Sequence, residues 1–407
     1  MPVKWKKKFK PESVLEKIAK TRTRNPDGKG SSFSGWDLDY CLPSLHTMLE
    51  FPDVARGMDH AALIWKAVAY DPGNLTKESF LKAINEQLSA ELSRREEKFY
   101  VLTSISIDNY ISLPGITVDG VQLRFCGSSY PRRYIQHRKA KLEENRIPAS
   151  ESPSSYMRVI AAVVAKTPAL ALTSALRSID IYRALWCLFC NTQMEMIGQA
   201  WIPINAVRLG AIHTIHIPGG ESAGDEFWFE PHHPLKDSYK PRDLAIIRRR
   251  VVAVLRKIDS CPYREDLIAA LLLFVHALDE WNQTTAFIRL WSALERLASP
   301  GHGDYDAVVR RCSFLWKDVE FAVQTLEHLR EYRNGFIHAG TESTSAKTYC
   351  FQLQQQFRTL MFFHIGSAGR FGSLQEANAF LDLPSDSSAL QKMSKTISLA
   401  KRFRNSA

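Results

Sequence analysis

Three patterns of apolar and polar positions follow one another along the chain. Up to about residue 97, apolar residues recur at helical spacing after a basic lead-in that carries "NPDGKGSSFSG". "HAALIWKAVAY" and "ESFLKAINEQLSAELSRREEK" predict helices there, the second capped by Thr76 or Lys77 after the "DPGN" turn. Between about 98 and 238 the pattern changes. "FYVLTSISI" and "VQLRFCG" are β-rich runs on either side of a turn-bearing "LPGITVDG". "YMRVIAAVVAKT" reads as a buried strand and "PALALTSALRSIDIYRALWCLFCN" as the helix after it. "AIHTIHIP" and "DEFWFEP" predict a hairpin around "GGESAG". From about 239 to 372 the chain is a succession of long amphipathic helices, from "PRDLAIIRRRVVAVLRKI" to "TYCFQLQQQFRTLMFFHI". A polar tail, 373–407, carries a last helix in "LQKMSKTISLAKRF". No repeat of fixed period runs through it. The expected architecture is α+β: a mostly helical region 1–97, a sheet-containing α/β region 98–238, an all-α bundle 239–372 and the tail.

One helix breaks its own pattern. In the segment that ends "LREYRNGFIHAG", apolar residues fall at Val319, Ala322, Val323, Leu326 and Leu329, and the stripe then runs through Arg333 to Ile337. A guanidinium on a buried face must be paired or must line a groove, because burying an unpaired charge costs several kcal/mol. "TTAFIRLWSALERLA" offers a partner. Its stripe holds Phe287, Ile288, Trp291, Leu294 and Ala298, and Glu295 falls among them. Arg333 and Glu295 are thus readable as a structural ion pair that fixes helix packing, or as part of a site. Asn334 and His338, four apart, share a helical face beside the arginine. Gly335 sits mid-helix at a cost of about 1 kcal/mol relative to alanine, and Gly340 supplies a helix stop. Arginine binds phosphate bidentately and histidine trades protons near neutral pH. That set suits phosphodiester chemistry without a metal.

Composition changes the picture in two ways. At 407 residues the chain is long for a single core, and 45% apolar with 24% charged residues is the balance of an ordinary globular protein. No stretch approaches the ~20 apolar residues of a membrane span, and "MPVKWKKKFK" is followed by no apolar segment of a secretory signal. Seven scattered cysteines point to reduced thiols and a cytoplasmic location. The net charge of +10 favours a polyanionic partner. Basic runs occur at "KWKKKFK", at Arg248 to Arg250 and from Arg132 to Lys141. In the last of these Arg132, Arg133, Arg138, Lys139 and Lys141 interleave with Tyr134 and His137, which suits nucleic-acid backbone contact with base stacking at Tyr134. A solvated surface loop is the equal alternative.

Other chemistry is thinner. His213, His216, His232 and His233 gather around the expected hairpin with Glu221, Asp225, Glu226 and Glu230. A strand would turn His213 and His216 to opposite faces, there is no HExxH, and no metal is expected. Cys187 and Cys190 form a CxxC in apolar surroundings, expected to be core cysteines. "GGESAG" has neither Walker nor Rossmann spacing and reads as a turn.

"YRNGFIH" matches the R-x4-H motif of the HEPN superfamily, and "FIRLWSALERL" resembles the Trp/Ala-Leu-Glu helix of its Apea-like branch. The resemblance covers roughly residues 240–370 and leaves the first 240 without a counterpart. It implies a HEPN-type helical bundle and a metal-independent endoribonuclease without cofactor, which dimerises so that two motifs face one cleft. Phage defence or a toxin-like role, with tRNA or another RNA as substrate, follows by the same implication. Arg333 would then hold the scissile phosphate, His338 would be the general acid or base, Asn334 would orient one of them, and Glu295 would position Arg333. Some members of the superfamily have lost catalysis, so a silent module binding nucleic acid or a partner protein is the alternative. A metal-dependent hydrolase at the hairpin histidines is a third.

Overall fold

The computed structural model describes residues 2–26, 30–55, 58–70, 74–148, 153–191, 204–230, 233, 237–301, 304–340 and 342–405. The elements in chain order begin with β1 (Lys4–Trp5), α1 (Glu12–Thr21), β2 (Arg22–Arg24), β3 (Ser31–Phe33), α2 (Asp37–Met48) and β4 (Leu49–Glu50). Next come α3 (His60–Tyr70), α4 (Lys77–Ser93), β5 (Glu97–Asp108), β6 (Ile116–Val118), β7 (Val121–Phe125), α5 (Arg132–Glu144), β8 (Tyr156–Ala165) and α6 (Pro168–Cys190). The hairpin strands β9 (Ile212–His216) and β10 (Ser222–Phe229) precede a run of helices. These are α7 (Leu244–Asp259), α8 (Arg264–Leu278), α9 (Gln283–Ala298), α10 (Tyr305–Ser313), α11 (Val319–Ala339), α12 (Ala346–Gly366), α13 (Leu374–Leu381) and α14 (Ser387–Asn405). The chain is 58% helical and 14% strand, an α+β protein with a C-terminal helical region.

Four consecutive regions were expected, and the chain instead divides into two compact units that take turns along it. One holds Met1–Val101, Ala162–Ala175 and Thr214–Phe227; the other holds Leu102–Ala161, Leu176–His213 and Trp228–Ala407. A scan for composition shifts sees only contiguous stretches, whereas strands pair across any separation.

In the first unit, α1 to α4 bury Leu15, Ile18, Leu45, Ile64, Phe80 and Ile84 in one cluster. Helix α4 starts where its cap dictates: Thr76 accepts from the Ser79 amide while Ser79 Oγ accepts from Thr76 N. Two short ladders, β1 with β4 and β2 with β3, lie in a region expected to be mostly helical. Strands of two or three residues are too short to carry a period.

The principal sheet has six strands in the order β10-β9-β5-β8-β7-β6. Central β5 is buried without alternation from Val101 to Asp108, as a strand covered on both faces must be. The β6–β7 hairpin turns at Asp119 and Gly120, with φ of 49° and 79°, the left-handed pair that a two-residue hairpin turn requires. In the second unit α9 packs against both α8 and α12, and Phe287, Leu290, Trp291, Leu294 and Leu297 make up its buried face. Helix α11 leans on α10 and, less extensively, on α9, and it buries only Ala322, Leu326 and Leu329. Helix α14 buries nothing. No helix among the described residues is long and apolar enough to cross a membrane.

Candidate active site

Asp318 caps α11 by accepting from the Phe321 amide, and Gly340 ends it with φ 65°, its amide hydrogen-bonding back to the carbonyl of Phe336. Arg333 and Asn334 stand between one and two turns from that end and His338 in the last turn. The buried stripe of the helix, Ala322, Leu326 and Leu329, does continue into Arg333, but burial fades after Leu329. Arg333 and Asn334 are half-buried, and His338 is exposed.

What holds this end is Tyr332. Its ring meets Phe287 of α9 edge-on at 4.8 Å and Tyr349 of α12 at 4.8 Å, and its hydroxyl lies 3.1 Å from Thr284 Oγ1. With that residue wedged in place, the next residue's direction is fixed. The Arg333 guanidinium lies over the ring of Tyr305, 4.5 Å from its centroid, and donates through Nη1 to Asn334 Oδ1 at 3.2 Å. An open cleft of about 290 Å³ beside it is lined by Asp304, Tyr305, Asp306, Arg330, Glu331 and Asn334. Arg330 is already neutralised there, by Asp306 at 2.5 Å and by Glu327 at 2.7 Å.

The expected Glu295–Arg333 ion pair does not form. Glu295 accepts a hydrogen bond from Trp291 Nε1 at 2.8 Å, and no ion pair joins it to Arg333 among the described residues. Burial raises its carboxyl above the ordinary glutamate value; the Trp291 bond and the field of Arg333 pull the other way and only partly offset it. The reason is the fading burial: a half-exposed guanidinium that lies over an aromatic face needs no buried carboxylate. Tyr305, which the sequence analysis did not single out, is the residue that orients Arg333. Nothing in the local pattern marks it, because its partner stands on another helix.

The expected nucleic-acid segment is a helix, α5, not a loop. Tyr134, Arg138 and Lys141 fall at i, i+4 and i+7 and form its buried face. Tyr134 is 0% exposed and cannot stack on a base. Arg138 donates to the carbonyls of Leu102 and Ile212, each at 3.4 Å, and lies over the Tyr130 ring at 5.2 Å. Lys141 sits 3.6 Å from Glu144. Those three serve the interior, whereas Arg132, Arg133 and Lys139 are exposed.

His213 and His216 of the hairpin are inward groups. His213 Nδ1 lies 2.7 Å from Thr103 Oγ1, and burial, aided by the Arg138 charge, lowers its pKa to about 3. His216 Nδ1 donates to Gly220 O at 2.8 Å, while Nε2 lies 3.0 Å from Thr214 Oγ1. His232 and the side chains of Asp225 and Glu226 lie outside the described residues, and His233 Nδ1 is 3.3 Å from Glu230. No group of three or more metal-ligating side chains occurs among the described residues. Cys187 and Cys190 are free, and burial pushes their thiols up to about 12 and about 11, far from a reactive thiolate.

No protein-family model, no curated protein and no solved structure matches this chain.

Proposed function

We propose that the chain is a HEPN-type endoribonuclease that cuts RNA without a metal, with Arg333 as the phosphate-binding charge and His338 as the proton-transfer group. The observation that supports this reading best is the state of Arg333. It is held in direction by Tyr305 and Asn334, yet no carboxylate among the described residues neutralises it. A fixed, unspent positive charge at a solvent-reaching helix end is what an entering phosphate needs. Asn334, hydrogen-bonded to the guanidinium, orients it in the role first given to Glu295.

Residues five apart on a helix are turned by roughly 140° and separated by about 7.5 Å along the axis. Arg333 and His338 of one chain therefore diverge, and a cleft between two chains lets both kinds of group meet one phosphodiester. The exposed Ile337 (45%), beside Arg333 and His338 on α11, gives such a homodimer an apolar contact at this helix end. In this reading the ribose 2′-OH is the nucleophile, and the products are a 2′,3′-cyclic phosphate and a 5′-OH. The resemblance in the motif points to RNA, tRNA among the candidates, and to defence or toxin-like use, while the scattered cysteines suit a cytoplasmic setting.

The test is incubation with total RNA, with and without EDTA. Cleavage should persist in EDTA, spare DNA, and fall at least about 100-fold in Arg333→Ala and in His338→Ala without loss of folding. A large excess of His338→Ala chains should suppress wild-type activity beyond dilution. An active His338→Ala enzyme, or activity that EDTA abolishes, overturns the mechanism. One observation favours the second reading, a silent module for a protein partner: Asp304, Asp306 and Glu331 make the neighbouring cleft acidic. That reading predicts no cleavage and no RNA binding at Arg333.

A further inference from the structure

We propose that a cavity between helix α7 and the loop before β6 binds a small organic phosphate, its anionic head on Arg248, Arg249 and Arg256 and its apolar body on the cavity floor. The cavity measures about 470 Å³, within the roughly 300–1,000 Å³ of small-molecule sites. Its floor is apolar, built from buried Leu113, Tyr182 and Val251. Along α7, Ala245, Arg249, Val252 and Arg256 fall at i, i+4, i+7 and i+11, so small or apolar residues alternate with cations on one stripe. A merely solvated face would have no reason to carry Val252 between two arginines over an apolar floor.

The three guanidinium groups are unspent. Among the described residues none of them is ion-paired or hydrogen-bonded through its side chain, and no carboxylate lines the cavity. Carboxylates of nearby segments are engaged elsewhere. Asp119 on the β6–β7 turn accepts from Arg177 at 2.8 Å and Arg264 at 2.6 Å, and Asp259 at the end of α7 is 3.2 Å from Arg264. Guanidinium forks match phosphate oxygens bidentately, and three of them exceed what a single carboxylate can use. The floor then rewards a body beyond the head. An alkyl chain or a nucleoside supplies that body with the same phosphate chemistry. This site is independent of the RNA reading: it shares no residue with the end of α11.

Titration calorimetry of the full chain with octyl phosphate, adenosine 5′-monophosphate and inorganic phosphate tests the inference. At least one organic phosphate should bind ten or more times tighter than inorganic phosphate, about the ratio that 1.4 kcal/mol of apolar contact gives. Tighter octyl phosphate identifies an alkyl body, and tighter adenosine monophosphate a nucleoside. Arg249→Gln with Arg256→Gln, both exposed, should weaken that ligand about tenfold or more with an unchanged melting temperature, as each lost guanidinium–phosphate contact implies. Val252→Phe, which fills the cavity from its half-exposed rim, should weaken the organic ligand and leave inorganic phosphate alone. Equal binding of all three probes, no binding of any, or variants that bind the organic ligand like wild type would overturn it.

Discussion

A glutamate that accepts from an indole and an arginine that rests on a tyrosine behave differently from an ion pair, and substitution separates the two. Glu295 is half-buried, and burial raises its carboxyl pKa. A folded-state pKa above the unfolded one means that the charge opposes folding at neutral pH, and stability from this group falls as pH rises past the ordinary glutamate value. Glu295→Gln keeps an acceptor for Trp291 Nε1 and removes the charge, so it should melt at or above the wild-type temperature at pH 7. Glu295→Ala leaves the indole N–H without its acceptor and should lose about 1–3 kcal/mol. Had the carboxylate neutralised a buried arginine, both variants would lose several kcal/mol. A glutamine variant that melts well below wild type would restore the ion pair. The corresponding change on the other side is Tyr305→Leu, which keeps bulk, removes the cation–π contact and should lower RNA cleavage through Arg333 while the fold persists.

At the scale of the element, α5 shows why charge counts mislead. Its positions 134, 138 and 141 have the spacing of a buried face, and the sequence carries that spacing in plain view. Two of the three are cations, so the stripe reads as a basic patch until their partners are known: for Arg138 the carbonyls of Leu102 and Ile212. Long cationic stems cover apolar surface while their heads find acceptors. Arg132, Arg133 and Lys139 are instead solvent-exposed, Lys139 within 3.5 Å of Glu143. Neutralising those three together should weaken RNA binding in low salt, flatten its salt dependence and leave the melting temperature unchanged. Arg138→Gln should instead cost stability and leave the salt slope as it was; the reverse pattern would place the interface on the buried face. Where information is local, the sequence was legible. "HAALIWKAVAY" is α3 residue for residue, Thr76 caps α4, and Gly340 stops α11. Where it is not local, reading failed. The point at which α11 leaves its packing, the Tyr305 face under Arg333, and a unit assembled from three separate stretches of chain all depend on residues far away in sequence.

At the scale of the whole molecule, buried titratable groups set how the second unit responds to acid. His213 and His364 are 2% and 0% exposed, and burial lowers their pKa values to about 3 and about 4. His364 Nδ1 faces the Tyr263 hydroxyl at 3.3 Å, and its Nε2 has no partner among the described residues. Unfolded, each histidine takes up a proton near pH 6.5, as an ordinary imidazole does; folded, neither does until far lower pH. Between those limits the unfolded state binds more protons, so stability is full above about pH 6.5 and falls as pH drops toward 4. Each histidine contributes a slope of up to about 1.4 kcal/mol per pH unit in that window. A second loss begins lower. Burial works to raise the Asp180 carboxyl, but the Arg183 charge and the His276 hydrogen bond prevail and hold it below the usual aspartate value. Arg183, 1% exposed, bridges Asp180 at 2.6 Å and Asp279 at 2.9 Å, tying α6 to the end of α8. A depressed carboxylate supports folding above its unfolded pKa and loses that support as pH falls toward its folded value. Denaturant melts from pH 8 to pH 3 should therefore show two declines, one starting near pH 6.5 and one in the carboxylate range. His364→Phe, which suits the aromatic surroundings of Tyr263 and Phe363, should remove one histidine's share of the first decline and leave the second in place. Stability that stays level from pH 7 to pH 5 would show that these imidazoles take up protons in the folded state and are not shut away from water.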